Sequence, residues 1–147
     1  MSLEFKNIKK ILIPTDGSNY SVRAAEYGLG IAKLLGAEVM VVYVIDEVVI
    51  EQVARLSQHD IVENELKNDG QRNIKYIVDS AQKIGVRSTS LIAEGRPFEQ
   101  IVHIAKDFNI DLIVMGSYGR RGTDRILIGS VVERVIEYSP CPVIVIK

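Results

Sequence analysis

Short, continuous apolar runs alternate with segments of helical periodicity along the whole of this 147-residue chain. The run at residues 38–45 is β-branched and does not alternate with polar residues, which is typical of a parallel strand covered on both faces. Strands are predicted at five places: residues 9–14, 38–45, 86–93, 112–115 and 143–147. Strand–helix alternation that ends on a strand gives a parallel sheet with right-handed crossovers. The sequence therefore predicts a single α/β domain over residues 1–147, a Rossmann-like, doubly wound, five-stranded parallel sheet with helices on both faces.

The segments between these strands carry the signals that begin and end helices. Four residues mark helix ends: Ser18 as an N-cap, Pro97 as an opening residue, and Gly36 and Gly85 as closing residues. Residues 46–60 fit either a long connection or a short helix. A helix is predicted over residues 61–84, and Gly70 should weaken its middle. The poorer strand at 86–93 is expected at an edge or in a half-exposed position, and the last strand at 143–147 at an edge of the sheet.

Composition excludes several classes of protein. The net charge of −1 argues against a general nucleic-acid binder, which usually carries a basic surplus. The longest apolar runs are too short for a membrane span, and the polar N-terminus does not have the form of a secretory signal. A single cysteine, Cys141, excludes an internal disulfide framework and is interpreted as a small buried residue rather than a nucleophile. We expect a cytoplasmic protein without nucleic-acid or membrane partners.

A glycine-rich loop follows the fourth strand. Two residues separate Gly116 from Gly119, and nine residues separate Gly119 from Gly129 and Ser130, with Ser130 predicted as the N-cap of the last helix. Glycine allows close approach of the backbone to a ligand, and a helix N-terminus attracts anions. The loop contains three arginines and one aspartate: Arg120, Arg121, Arg125 and Asp124. The pattern predicts a loop that wraps a phosphate chain, although a flexible connection with turn glycines and a solvated basic face would look the same.

The predicted topology brings this loop close to two other turns. Parallel strands place their carboxyl ends at one edge of the sheet, and ligands of doubly wound sheets bind there. The turns at residues 14–16, 44–46 and 115–116 should therefore meet. No Walker-type P-loop, standard dinucleotide fingerprint or nucleophile elbow is present in the sequence. A phosphate-bearing ligand bound by a different arrangement is expected.

With these motifs the chain resembles the ATP-binding subgroup of the universal stress protein family over essentially its full length. The motifs that carry the resemblance lie at residues 11–18, 42–46, 94–97, 111–119, 129–131 and 141–145. The resemblance implies an adenine-nucleotide-binding domain over residues 1–147 that takes ATP or another adenylate, with or without Mg²⁺. It also implies a homodimer formed through the C-terminal edge strand.

The resemblance further assigns binding roles to residues of this sequence. Those implied to contact the nucleotide are Pro14, Thr15, Asp16, Val44, Met115, Gly116, Ser117, Gly119, Arg120, Gly129, Ser130 and Val131. Asp16 would face the adenosine, Val44 would pack on adenine, and Met115 with Gly116 would line the ribose. Gly119, Arg120 and residues 129–131 would meet the phosphates. No catalytic residue and no protein ligand to a metal is assigned.

Some of these residues also have simpler explanations. Asp16 could only cap the first helical region, and Val44 and Met115 could be core residues. Asp46 beside Glu47 could form a metal pair, but a turn is the commoner explanation. One departure from the family concerns residues 131–133, Val-Val-Glu, where family members often carry a hydroxyl residue. One phosphate contact is therefore expected to come from backbone or to be missing.

Three functions are consistent with the sequence. The leading hypothesis is a nucleotide-dependent sensor or switch in a stress response, because no base stands beside a nucleophile and no residue is identified that would orient a water for hydrolysis. The alternatives are a slow or partner-activated ATPase and a ligand-free dimeric scaffold.

Overall fold

The computed structural model describes residues 6–55, 59–118 and 128–147. Its elements are β1 (Lys10–Thr15), α1 (Asn19–Leu35), β2 (Glu38–Asp46), α2 (Glu47–Ala54), α3 (His59–Lys83), β3 (Ser88–Gly95), α4 (Pro97–Asp107), β4 (Leu112–Gly116), α5 (Ser130–Tyr138) and β5 (Val143–Ile146). The strands form one parallel sheet in the order β3-β2-β1-β4-β5. The predicted five-stranded, doubly wound α/β fold is confirmed. No helix in these described ranges is long and apolar enough to span a membrane.

Each face of the sheet is covered by its own pair of helices. Ile11 and Ile13 of β1 pack into the core under α1 and α3, whereas Leu12 between them packs into the core under α4 and α5. All three side chains are fully buried. Alternate residues of a strand point to opposite faces, so only a continuous apolar run can supply both cores. We call these the α1/α3 core and the α4/α5 core.

Strands β3 and β5 lie at the two edges, as predicted. Strand β3 begins at Ser88, two residues later than the sequence suggested. The reason is that Val86 is buried and its N–H donates to the Ala81 carbonyl, so it closes the turn after α3 at Gly85. At Val86 the β-branched pattern correctly predicted burial but wrongly predicted pairing with a neighbouring strand.

The helix boundaries follow capping chemistry. The Ser18 hydroxyl accepts from the Ser21 N–H at 3.2 Å, and Gly36 ends α1 with φ of 65°. Both predicted caps are confirmed. Residues 46–60, left open by the sequence, contain the short helix α2. It begins where the Asp46 carboxylate accepts from the Val48 N–H at 2.9 Å.

Gly70 lies inside α3 for a steric reason. A Cβ at this position would lie 2.7 Å from Cδ1 of Tyr43, whose ring packs directly against the helix backbone. Glycine costs helix stability, about 1 kcal/mol relative to alanine. In this helix it provides the space that the buried Tyr43 ring occupies.

Asp111 joins the start of β1 to β4. Its Oδ2 accepts from the Lys9 and Lys10 N–H groups at 2.9 and 3.0 Å, and its Oδ1 lies 3.1 Å from Lys6 Nζ. Burial alone would raise the pKa of this carboxyl, but these donors outweigh it and hold the pKa below its ordinary value. The charged form therefore stabilises the fold at neutral pH, and this contribution is lost as pH falls through the lowered pKa.

Asp111→Ala should lower the free energy of unfolding at pH 7 by about 2 kcal/mol, because two backbone donors and an ammonium lose their acceptor. The difference from wild type should narrow below about pH 4, where the carboxyl of the unfolded chain begins to take up protons while the folded chain, with its lowered pKa, does not. Urea unfolding at pH 7 and pH 3 measures both effects. Asp79→Ala, which removes an exposed i,i+4 pair with Lys75, is the control and should cost less than about 0.5 kcal/mol. If Asp111→Ala lowers the free energy of unfolding equally at pH 7 and pH 3, the charged form of Asp111 is not what stabilises the fold.

Candidate functional site

A cavity of about 370 Å³ lies at the carboxyl ends of β1, β2 and β4. The three turns that the sequence predicted to meet all line it: residues 14–16, 44–46 and 115–116. The remaining lining residues are Ser21, Val42, Tyr43, Val49, Leu66, Pro97, Ile101, Tyr118, Gly129, Ser130, Val131 and Val132. The cavity therefore sits at the switch point between β1 and its neighbours β2 and β4, where doubly wound sheets bind ligands.

The structure brings most of the predicted site residues together here. Those that line the cavity are Pro14, Thr15, Asp16, Val44, Met115, Gly116, Gly129, Ser130 and Val131. Ser117 does not line it: the residue is only 3% exposed, and its hydroxyl has no hydrogen-bond partner among the described residues. Gly119 and Arg120 lie outside the described residues, as do Arg121, Asp124 and Arg125.

The Asp16 carboxylate is fixed by the turn that it closes. Its Oδ1 accepts from the Ser18 N–H at 2.9 Å, while Ser18 itself caps α1. The Thr15 hydroxyl lies 3.1 Å from the Ser21 hydroxyl and accepts from the Gly17 N–H. Asp16 thus stabilises the chain before the helix, as the simpler explanation proposed, and also lines the cavity in a fixed orientation.

The start of α5 differs from the prediction. Gly129, not Ser130, is the N-cap, with an extended backbone at φ −71° and ψ 155°, and its N–H donates to the Ser117 carbonyl at 2.7 Å. That hydrogen bond places Gly129 at the boundary and makes Ser130 the first helical residue. Since glycine has no side chain, no side-chain cap bonds the N–H groups of the first turn. These donors, with the positive end of the helix dipole, lie at the cavity and suit an anion.

Gly116 joins two walls of the cavity by close packing. A Cβ on Gly116 would lie 2.8 Å from the backbone C and O of Tyr20, in the first turn of α1. The Tyr20 ring also meets the Tyr118 ring edge-on, with the centroids 5.1 Å apart. Here the glycine is required by contact between two backbones, which was only a general possibility in the sequence.

Several lining residues were not predicted from the sequence. Val49 and Leu66 come from α2 and α3, and Pro97 and Ile101 from α4. Their apolar periodicity marks them as helix-face residues but carries no signal that separates a cavity wall from a core. Tyr118 could have been found, because it lies between Gly116 and Gly119 of the glycine motif.

The cavity walls are mainly apolar, with carboxylates at Asp16 and Asp46. No lysine or arginine of the described residues lines it. This arrangement favours a flat group with hydrogen-bond donors near the carboxylates, and an anionic group only at the start of α5. Within the described ranges no three His, Cys, Asp or Glu side chains are grouped to hold a metal ion, so Asp46 and Glu47 do not form part of such a cluster.

Cys141 lies away from the cavity, just before β5. Burial raises the pKa of its thiol, and the thiol sulfur lies 3.6 Å from the Ser139 hydroxyl. A raised pKa keeps the thiol protonated at neutral pH, which disfavours a nucleophilic role. Cys141 was predicted to be a small buried residue, and the structure shows it only partly buried.

The sequence profile of the universal stress protein family matches residues 7–147. The chain belongs to the universal stress protein family. Among its relatives is universal stress protein MJ0531 of Methanocaldococcus jannaschii, which is 42% identical over 139 residues, covering 95% of this chain and 82% of the relative.

Solved structures of relatives share the fold of this family member. The structure of MJ0577, a universal stress protein of the same organism, superposes with a TM-score of 0.86 at 35% identity and covers 97% of each chain. The universal stress protein of Archaeoglobus fulgidus in complex with dAMP superposes with a TM-score of 0.68 at 23% identity, covering 97% of this chain and 100% of that one. At that identity the second comparison supports the fold alone.

Proposed function

We propose that this universal stress protein binds ATP or another adenylate in the cavity at the strand ends and acts as a nucleotide-dependent sensor or switch. The whole chain, residues 1–147, would form one binding domain. The observation that carries the proposal is the pairing of an apolar cavity with an uncapped helix N-terminus at its rim. An adenylate has a flat base with donor groups at one end of the molecule and phosphates at the other end. The base matches the apolar cavity, and the phosphates match the helix N-terminus.

In this proposal the base packs on Val44, and Asp16 accepts hydrogen bonds from the ribose hydroxyls or the adenine amino group. Met115 and Gly116 border the ribose. The phosphates meet the backbone N–H groups and the exposed Ser130 hydroxyl at the start of α5. Gly119 and Arg120 keep their predicted roles as phosphate contacts, and Ser117, which does not line the cavity, shortly precedes them in the sequence. Any Mg²⁺ would bind mainly through phosphates and waters.

The family departure at residues 131–133 bears on the phosphate end. Val132 is 3% exposed and packs in the α4/α5 core, and Val131 packs against that core. Neither side chain can donate a hydrogen bond, so α5 offers phosphate only its backbone N–H groups and Ser130. Affinity would depend on the helix N-terminus more than in family members with a further hydroxyl.

The universal stress protein of Archaeoglobus fulgidus has been solved in complex with dAMP, so a protein of the same fold binds an adenylate. ATP is favoured over a monophosphate because the loop predicted to wrap phosphates carries three arginines. A switch is favoured over a robust enzyme because both carboxylates of the described cavity wall, Asp16 and Asp46, already accept hydrogen bonds from backbone N–H groups of their own turns.

The test is to purify the protein without added nucleotide, denature it, and identify released adenylates by ion-exchange chromatography. A stoichiometric ATP peak would support a switch that retains ATP. An ADP or AMP peak would favour slow hydrolysis or a monophosphate ligand. A protein that releases nothing and gives no calorimetric signal with 1 mM ATP would overturn the proposal and leave the scaffold alternative.

We also expect a homodimer, acting in the cytoplasm, that pairs through β5. All residues of this edge strand are apolar and only partly buried. An uncovered apolar edge invites pairing with another strand. Light scattering after size exclusion should give about twice the chain mass of 16.4 kDa, and Ile144→Lys should shift it toward the monomer. A wild-type protein that is monomeric at micromolar concentration would contradict this expectation.

A further inference from the structure

The cavity is lined from both faces of the sheet. Val42, Met115 and Val132 belong to the α4/α5 core, and Val44 packs against that core. Tyr43 and Ile45 belong to the α1/α3 core, and Leu66 of α3 packs against it. The cavity is therefore bordered at the carboxyl end of β2 by residues of both cores. We call the part lined by Tyr43, Ile45, Val49 and Leu66 the α2/α3 pocket.

The proposed adenylate uses the other part. Its apolar contacts, Val44, Met115 and Val131, all pack on the α4/α5 side, and its phosphate contacts lie at the start of α5. This division rests on the proposed function. The α2/α3 pocket is then left beside the bound nucleotide, opening at the same strand ends.

The α2/α3 pocket keeps its space because Gly70 lies behind Tyr43. A side chain at position 70 would come within 2.7 Å of the Tyr43 ring and push the ring away from α3. Tyr43 also lines the cavity, so the ring would be displaced within the cavity wall. A glycine in the middle of a 25-residue helix costs stability, and here that cost is matched by room for an aromatic ring at a cavity wall.

The charges around the α2/α3 pocket select against an anion. Asp46 lines the cavity at the end of β2, and Glu47 follows it at the start of α2. Arg96 is paired with Glu47 at 3.2 Å and with Glu99 at 3.6 Å, and it does not line the cavity. Apolar walls and a carboxylate at the rim suit an apolar group that is uncharged or cationic.

We infer that the α2/α3 pocket is a second subsite, which binds a compact apolar group, uncharged or cationic, beside the adenylate. Such a group has two possible sources: a substituent carried on the adenine base, or a separate small molecule. Both present the same chemistry to Tyr43, Val49 and Leu66.

Three probes with the same ring and different charge test the pocket without nucleotide: benzylamine, benzyl alcohol and benzoate. NMR titration of the nucleotide-free protein should show saturable shifts of the Tyr43 ring with the first two probes. Benzoate should bind at least about tenfold more weakly than benzylamine, a difference of about 1.4 kcal/mol. Equal binding of benzoate would overturn the charge assignment.

Filling the pocket should abolish this binding. Leu66→Phe adds a ring to the wall, and Val49→Phe does the same from α2 and serves if the first variant fails to fold. Gly30→Ala is the control, because Gly30 is exposed on α1 and an added Cβ would meet no atom within 4 Å. Probe binding that survives both filling variants would overturn the subsite.

ATP and N6-benzyl-ATP distinguish the two sources. If the group is a base substituent, N6-benzyl-ATP should bind at least about tenfold more tightly than ATP, and Leu66→Phe should remove that preference. If the group is a separate molecule, benzylamine should bind the ATP-saturated protein and N6-benzyl-ATP should have no advantage. A protein that binds benzylamine but neither nucleotide would refute the adenylate proposal and support the α2/α3 pocket as a binding site. A protein that binds none of the three ring probes and does not prefer N6-benzyl-ATP would refute the pocket.

Discussion

Gly116→Ala should lower the affinity for ATP about a hundredfold, equivalent to about 2.7 kcal/mol. The added Cβ would lie 2.8 Å from the backbone carbonyl carbon and oxygen of Tyr20, so no side-chain rotation can relieve the clash. Either β4 or the first turn of α1 must move, and both line the cavity. Overpacking of this kind should also cost about 2 kcal/mol in the free energy of unfolding. Isothermal titration calorimetry and urea unfolding measure the two effects.

A second variant separates binding from general destabilisation. Ile77→Ala removes a side chain that is 1% exposed in the α1/α3 core and does not line the cavity. It should destabilise the protein by about 2–5 kcal/mol and leave the affinity of the folded fraction for ATP within about threefold of wild type. If Gly116→Ala and Ile77→Ala lose ATP affinity to the same extent, the close packing of Gly116 on α1 has no specific role in ATP binding.

Ser130→Pro should weaken ATP binding about thirtyfold without destabilising the protein. Ser130 is the first residue of α5, where proline is readily accommodated, and Gly129 already has the extended backbone that proline requires before it. The substitution removes one backbone N–H and one hydroxyl from the proposed phosphate site. Loss of a hydrogen bond to a charged group is worth about 1.5–3 kcal/mol, which sets the expected size. Calorimetry with ATP, beside a thermal unfolding scan, provides the measurement.

Ser130→Ala is the matched control, because it removes the hydroxyl and keeps the N–H. Its ATP affinity should fall about fivefold, close to 1 kcal/mol, and so lie between wild type and Ser130→Pro. An adenosine titration should be nearly unaffected in both variants, since adenosine has no phosphate. Equal affinities of Ser130→Pro and wild type for ATP would show that α5 does not bind the phosphates.

The sheet was predictable because its signals are local and repeated. Continuous apolar runs in β1, β2 and β4, together with caps such as Ser18 and Gly36, indicated the strands, the main helices and their parallel arrangement. The errors fall where tertiary contacts decide the outcome. Val86 belongs to the turn after α3 because its N–H bonds Ala81, and Gly129 replaces Ser130 as N-cap because its N–H bonds Ser117.

The candidate site was predictable where it lies on strand ends and glycine turns. Topology alone places residues 14–16, 44–46 and 115–116 together, so that part of the cavity could be predicted from the sequence. It could not assign Val49 or Leu66, because an apolar helix residue looks the same whether it lines a cavity or fills a core. Nor could it show why Gly70 is needed, since the ring that requires it belongs to β2, far away in sequence.

The hydrogen bond from the Gly129 N–H to the Ser117 carbonyl has a consequence for engineering. At 2.7 Å it ties together the two ends of the segment between these residues, and both ends are also anchored, by β4 and by α5. The entropy of closing such a segment rises only slowly with its length, by about 0.6 kcal/mol for each doubling. Segments of different length and composition should therefore be exchangeable between Ser117 and Gly129 while the sheet keeps its stability. Under the proposed function, such exchanges would change the groups that meet the phosphates.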